Sequence, residues 1–288
     1  MLGQKIARHG LALVATALLG GLLSATLVRL APGFDADEAA LDPRLNSESI
    51  QALRQDRAGQ HNVFQFYVHS LKRALRGDLG TSISLKQPVS ALLHERIPLT
   101  FRLVFLGLLI SWAAVMALAL SAAWLRAPAY DLFATMIAGL LLCLPATVLA
   151  LLSVLWKVPG ALAIALIIFP RDYRYTRNLL DEAYSLPHIL AARAKGLSEL
   201  RILFWHVIPV AGPQLLALGG VSVSLAFGAS IPVEALCGLP GIGQLAWQAA
   251  LARDLPLLTN ITVLVTVVTL LANSSADVIG HVWRGQQA

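Results

Sequence analysis

The chain has 288 residues, of which 57% are hydrophobic and 13% charged, with a mean hydropathy of +0.70. These proportions exclude an ordinary soluble domain and describe an all-α, polytopic membrane protein with room for about five to seven spans and one sizeable loop. A formal charge of +6 would suggest nucleic acid in a soluble protein, but here it reflects basic residues gathering in cytoplasmic loops.

Lys5 and Arg8 precede an apolar run from Leu11 to Val28 that superficially resembles a signal peptide. The run is too long for a typical h-region, and no clear Ala-x-Ala site follows it, so it reads as an uncleaved first span, roughly Gly10–Leu30. Residues 32–98 form a polar extracytoplasmic region with eight Asp/Glu and eight Lys/Arg. Within it Phe64, Tyr67, Val68, Leu71 and Leu75 recur at helical spacing, with Gly77 as the expected C-cap. Span 2 is expected over Leu99–Leu125, and a short turn with Arg126, Pro128 and Asp131 leads to span 3, Leu132–Trp156. Lys157–Gly160 then makes a tight hairpin.

Span 4 is short. Its apolar stretch, Val158–Phe169, covers about 18 Å of a core about 30 Å thick. Either it is a half-span, or the helix continues through Arg171–Arg177; the second is the working expectation. Arg171 and Asp172 would then face the bundle interior or the inner headgroup zone. Residues 171–206 carry Arg171, Arg174, Arg177, Arg193, Lys195 and Arg201. Span 5 is expected over Val207–Val233, a Gly/Pro-rich loop over Glu234–Pro256, and span 6 over Leu257–Ile279. Taken together the boundaries are 1–31 for span 1, 32–98 for the outer region and 99–288 for a core of spans 2–6, all one transmembrane domain. Six spans put both termini on one side with the loops at 126–131 and 171–206. Those stretches hold ten of the 22 basic residues, so that side is read as cytoplasmic.

The most informative segment is Ala191-Ala192-Arg193-Ala194-Lys195-Gly196-Leu197, followed by His206 and Ile208-Pro209. A docking helix needs small residues on the face entering a groove, flanking cations for an acidic rim, and a glycine to end it. The bland reading is a basic loop that only fixes orientation. Against it, the spacing resembles the cytoplasmic "EAA" loop of ABC importer permeases, and the residues are those of its dipeptide/oligopeptide/nickel branch. Arg174-x-x-Arg177 and the step from there to Gly196 match without a gap. Pro187 and His188 depart from that pattern, and the Glu that names the motif is absent.

Two further stretches resemble the same family. Gly77-Asp78-Leu79-Gly80-Thr81-Ser82, with Pro88-Val89, Arg96, Pro98 and Thr100, is similar to the stretch before span 2. Val233-Glu234, Leu239-Pro240-Gly241-Ile242-Gly243 and Arg253-Asp254-x-Pro256 are similar to the loop between spans 5 and 6. Asn273 and Asp277 fall on an Asn-x-x-x-Asp in span 6, although the Tyr expected three residues later is Gly280. The resemblance covers nearly the whole chain and falls short mainly at the reduced connection between spans 3 and 4.

What this resemblance implies is a type I ABC importer transmembrane domain, in the bacterial inner membrane with both termini cytoplasmic. Its partners would be a homologous permease subunit, two ATPases carrying ATP-Mg and an extracytoplasmic solute-binding protein. The chain itself would bind no cofactor and would form half of a pathway for a small solute, a peptide or a related compound. Residues 191–197, within a loop of about 178–206, would couple to the ATPase. The alternative is a stand-alone secondary transporter or channel, which would need inverted repeats or a run of intramembrane charges; neither is evident. No Gly-Lys dipeptide exists, so no P-loop can form, and HExxH, GxSxG and CxxC are missing. Cys143 and Cys237 suggest neither a disulfide nor a metal site. Asp277 invites a substrate-site reading, but near the end of a span it can be solvated or paired. His206 reads as a hydrogen-bonding spacer, and His61, His69 and His94 lack paired metal spacing.

Overall fold

The computed structural model describes residues 76–125 and 128–285, with positions 20, 22, 26, 72 and 73 before them. Among these the chain is helical, with no strand beyond one isolated bridge between Thr81 and Pro88. The helices are α1 (Val89–Leu125), α2 (Pro128–Cys143), α3 (Ala146–Leu155), α4 (Gly160–Tyr184), α5 (Pro187–Ala194), α6 (Glu199–Ile202), α7 (Ile208–Leu236), α8 (Ile242–Leu251) and α9 (Leu255–Gly285). A π turn, Leu203–Val207, joins α6 to α7. The chain divides into two compact units, 1–97 with 245–267, and 98–244 with 268–288.

Three of the described helical runs are long and apolar enough to cross a bilayer: Val89–Trp124, Glu199–Leu236 and Leu255–Gly280. The expected first span lies outside the described residues, apart from Gly20, Leu22 and Thr26, which are helical. So does the amphipathic run Phe64–Leu75, although Gly77 has the expected cap geometry. Its φ is +83°, and the Asp78 N–H donates to the Arg73 carbonyl at 3.0 Å.

Expected span 3 is not one helix. It breaks at Leu144-Pro145, where α2 and α3 meet at 97°. Pro145 has no N–H to continue the ladder and disfavours helical backbone at Leu144, so the chain restarts at Ala146. The hairpin after α3 closes as expected: Lys157 takes φ +52°, and the Val158 N–H reaches the Ser153 carbonyl at 2.8 Å.

Span 4 does continue. The helix passes through Pro170 as far as Tyr184, so Arg171 and Asp172 are helical. Asp172 is wholly buried, and Ser222 Oγ of α7 lies 2.6 Å from its Oδ2. Arg171 instead stacks its guanidinium over the Tyr175 ring, 5.3 Å from the centroid.

The stretch Glu234–Pro256 is not simply a loop. Glu234 belongs to the last turn of α7, and the stretch contains α8. Ile242, Leu245 and Ala249 are all buried, on a helical repeat that the flanking Gly and Pro residues mask in the sequence. Elsewhere α7 and α9 approach closely at Gly220, where a Cβ would lie 2.9 Å from that of Ala276, and Asn273 Nδ2 sits 3.2 Å from Ser224 Oγ.

Candidate functional site

The motif helix is α5. Leu186 is extended and Pro187 occupies the first helical position, where its fixed φ suits the helix and its missing N–H costs nothing. At the other end Gly196 has φ +73°, its N–H donates to the Arg193 carbonyl at 2.8 Å, and the Leu197 N–H donates to Ala192 at 3.3 Å. This is a Schellman turn with Gly196 at the left-handed position. No atom lies within 4 Å of a Cβ built on Gly196, so the demand for glycine is torsional and not steric.

The seven motif residues divide by face. Ala191, Ala194, Lys195 and Gly196 are exposed. Ala192 is buried, together with Ile189, in a cluster that includes Val115 and Ala119 of α1, Tyr173 and Leu180 of α4, and Ala211 of α7. Leu197 packs against the same cluster. Of the three alanines expected to enter an ATPase groove, Ala191 and Ala194 are thus exposed on this chain, whereas Ala192 is buried within it. Its small side chain is needed to seat α5 on this chain's own helices. Arg193 also turns inward, with Nε 3.2 Å from Glu199 Oε1 and its guanidinium 5.8 Å from the Tyr184 ring centroid. Of the motif cations, only Lys195 projects freely from the helix end. Leu190, 64% exposed, is the residue that sequence reasoning missed on the outward face.

Below this helix, Arg177 grips Asp131 of α2 with Nε at 2.8 Å and Nη2 at 3.2 Å, and also pairs with Asp181. A bidentate guanidinium–carboxylate pair is geometrically specific, so it fixes α2 against α4. Arg174, its motif partner, is exposed. His188 and His206 bring their ring centroids to 6.5 Å. Among the described residues no group of three or more His, Cys, Asp or Glu could hold a metal ion.

The Leu239–Gly243 match is organised around Glu234, which is fully buried. Thr100 Oγ1 donates to its Oε1 at 2.8 Å, and Gly243 N–H donates to its Oε2 at 2.6 Å, with Gln244 N–H at 3.3 Å. The Ile242 N–H in turn donates to Thr100 Oγ1 at 2.7 Å. The Thr100 hydroxyl takes the first free N–H group of α8 and the carboxylate the next two, which a carboxylate at a helix N-terminus is suited to do. A Cβ on Gly241 would land on that carboxylate, and one on Gly243 would lie 2.7 Å from Ile231 Cα. These two glycines are therefore demanded by space.

In the unit 1–97 with 245–267, Asp254 plays the corresponding part. It is buried and accepts from Ser82 Oγ at 2.5 Å, Ser84 N–H at 3.0 Å, Ser84 Oγ at 2.8 Å and Leu257 N–H at 3.1 Å. Asn260 Nδ2 adds a bond to the Leu79 carbonyl at 3.0 Å. Two stretches that resemble the family separately in the sequence are thereby one structure.

The chain is similar in sequence to known transport proteins. The family model described as "Binding-protein-dependent transport system inner membrane component" matches residues 115–282. A Brucella suis protein, provisionally named a peptide transport system permease protein, is 30% identical over 91% of both chains. The oligopeptide transport system permease protein AppB of Bacillus subtilis is 25% identical over 90% of both. The glutathione transport system permease protein GsiC of Salmonella typhimurium is 25% identical over 93% of this chain and 94% of its own.

Proposed function

Because this chain belongs to the family of binding-protein-dependent transport system inner membrane components, the permeases of ABC importers, we propose that it carries peptide-like solutes and couples to its ATPase through α5. Relatives named for peptide, oligopeptide and glutathione transport support the solute class. In this reading ATP-Mg sits on two partner ATPases, a second permease completes the pathway, and a solute-binding protein delivers the cargo from outside. The chain hydrolyses nothing itself. Both termini lie in the cytoplasm with α5.

The observation that carries the coupling role is the two-faced character of α5. Its outward face offers Ala191 and Ala194, small enough to enter a groove, with the cation Lys195 at its end, while Ile189 and Ala192 hold it to α1, α4 and α7. A push on the outward face is passed to the spans because tightly packed cores shift between discrete arrangements rather than deform.

Ala191→Trp and Ala194→Trp, made in the intact complex, test this. Both proteins should insert and melt like the wild type, yet copurify with at least about tenfold less ATPase and lose uptake, since a bulky ring cannot enter a groove shaped for alanine. Wild-type copurification and uptake would overturn the assignment. Uptake of labelled short peptides by cells with the complete transporter checks the solute class.

A further inference from the structure

Immediately after the motif helix, the chain enters α7 through a junction that the coupling role does not use. Leu200 is 46% exposed, Phe204 55% and Trp205 74%, with Arg201 exposed beside them. Ile202, Leu203 and Val207, between and after these positions, are buried in the cluster under α5. One face of the junction is thus anchored, and the other presents two aromatic rings, a leucine and a cation. The π turn at Leu203–Val207 lies at this point. Such turns widen the helix by one residue and frequently mark functional positions.

We propose that this face, Leu200, Arg201, Phe204 and Trp205, binds anionic phospholipid headgroups of the leaflet that α7 enters. Three observations select lipid as the occupant. First, the unbroken run Glu199–Leu236 has 38 residues, about 57 Å long against a core of about 30 Å, so it projects beyond the hydrocarbon. With the apolar stretch from Ile208 onward filling the core, Trp205 falls at the headgroup level, where Trp side chains concentrate. Second, the exposure does not end at the junction: in α7 itself Val210 is 40% exposed. Third, the local charge is positive. Glu199 is the sole acid between Glu182 and Glu234, and it is paired with Arg193 at 3.2 Å. Lys195 and Arg201 are left to face outward, as recognition of an acidic surface requires. The inference rests on the membrane reading of α7. It does not require α5 to dock the ATPase.

The test uses the complete transporter in phosphatidylcholine vesicles containing phosphatidylglycerol at about one part in four. Either lipid carries bromine near its headgroup and quenches tryptophan fluorescence. Replacing Trp205 with Phe should remove a quenched component. That component should be at least about twofold stronger with brominated phosphatidylglycerol than with brominated phosphatidylcholine at matched content, and Arg201→Gln should bring the ratio to about one. If Trp205→Phe assembles poorly, Phe204→Trp in the wild-type chain should add a component of the same preference. No quenched component from either position would overturn the proposal, as would a ratio near one in the wild type. Quenching that emerges only after the ATPases are stripped would also overturn it, assigning the face to protein. Failure here with retained coupling at Ala194 would sink this inference alone.

Discussion

The motif helix α5 and the Glu234 turn show two different ways of building a functional feature. The former is held chiefly by apolar burial: Ile189 and Ala192 sink into a cluster that draws on α1, α2, α4, α6 and α7. The latter is held by a single buried carboxylate whose partners are a hydroxyl and two backbone N–H groups. Apolar seating leaves the opposite face free to be small and exposed, which suits a surface that must meet another subunit. Polar seating fixes a geometry to tenths of an ångström and requires glycine wherever the backbone approaches the carboxylate. In the proposed coupling role, a moving contact is thus made with packing, and a rigid turn with hydrogen bonds.

The largest effect should come from breaking the polar arrangement. Replacing Glu234 with Leu removes the acceptor of the buried Gly243 N–H and of the Thr100 hydroxyl, and each buried donor left unsatisfied costs about 1–3 kcal/mol. Little folded protein should be recovered in detergent. Recovery and melting at the wild-type level would show that α8 does not depend on this carboxylate.

Next in size is the contrast within α5. Ala192→Trp forces a ring into the cluster and should destabilise by about 1–3 kcal/mol or more. Ala194→Trp should leave the melting temperature unchanged and act on ATPase association alone. Thermal unfolding of the two variants in parallel separates them, and equal melting would mean that α5 does not seat through Ala192.

A smaller effect is expected at Gly196. A β-branched residue there opposes the left-handed backbone by about 1–2 kcal/mol, whereas Asn, which tolerates that conformation, should retain most of the stability and uptake. If Val and Asn behave alike, the Schellman turn is not what ends the helix. Smallest of all is Arg193→Gln. Its pair with Glu199 is part-exposed, and such pairs contribute about 0–1 kcal/mol. The variant should melt within a degree or two of the wild type, and a large loss would give Arg193 a role beyond this pair.

Most of the architecture was legible because a bilayer imposes a strict length and composition on what crosses it. The spans expected at Leu99–Leu125 and Leu257–Ile279 follow from apolar length, but the helices that hold them run on to Val89–Leu125 and Leu255–Gly285. The ten residues before Leu99 read as outer region because they are polar. The continuation of α4 past Pro170 follows from the shortness of the apolar run. The Gly77 and Gly196 caps were legible because left-handed backbone so strongly favours glycine. Lys157 and Arg253 take that same conformation and could not be found in this way. The break at Pro145 was passed over because hydrophobicity alone does not register a missing N–H.

By itself, then, the sequence determined which described segments are long and apolar enough to cross a membrane, near 99–125, 207–233 and 257–279, and where a small-residue, basic helix ends, since both depend on local composition and backbone torsion. Only the tertiary structure decided that Ala192 faces inward while Ala194 faces outward, because the facing of a short helix depends on which neighbours bury it. It also decided that Thr100 meets Glu234 and that Ser82 meets Asp254. Those partners are 134 and 172 residues apart in the chain, and no local pattern encodes a contact made across the fold.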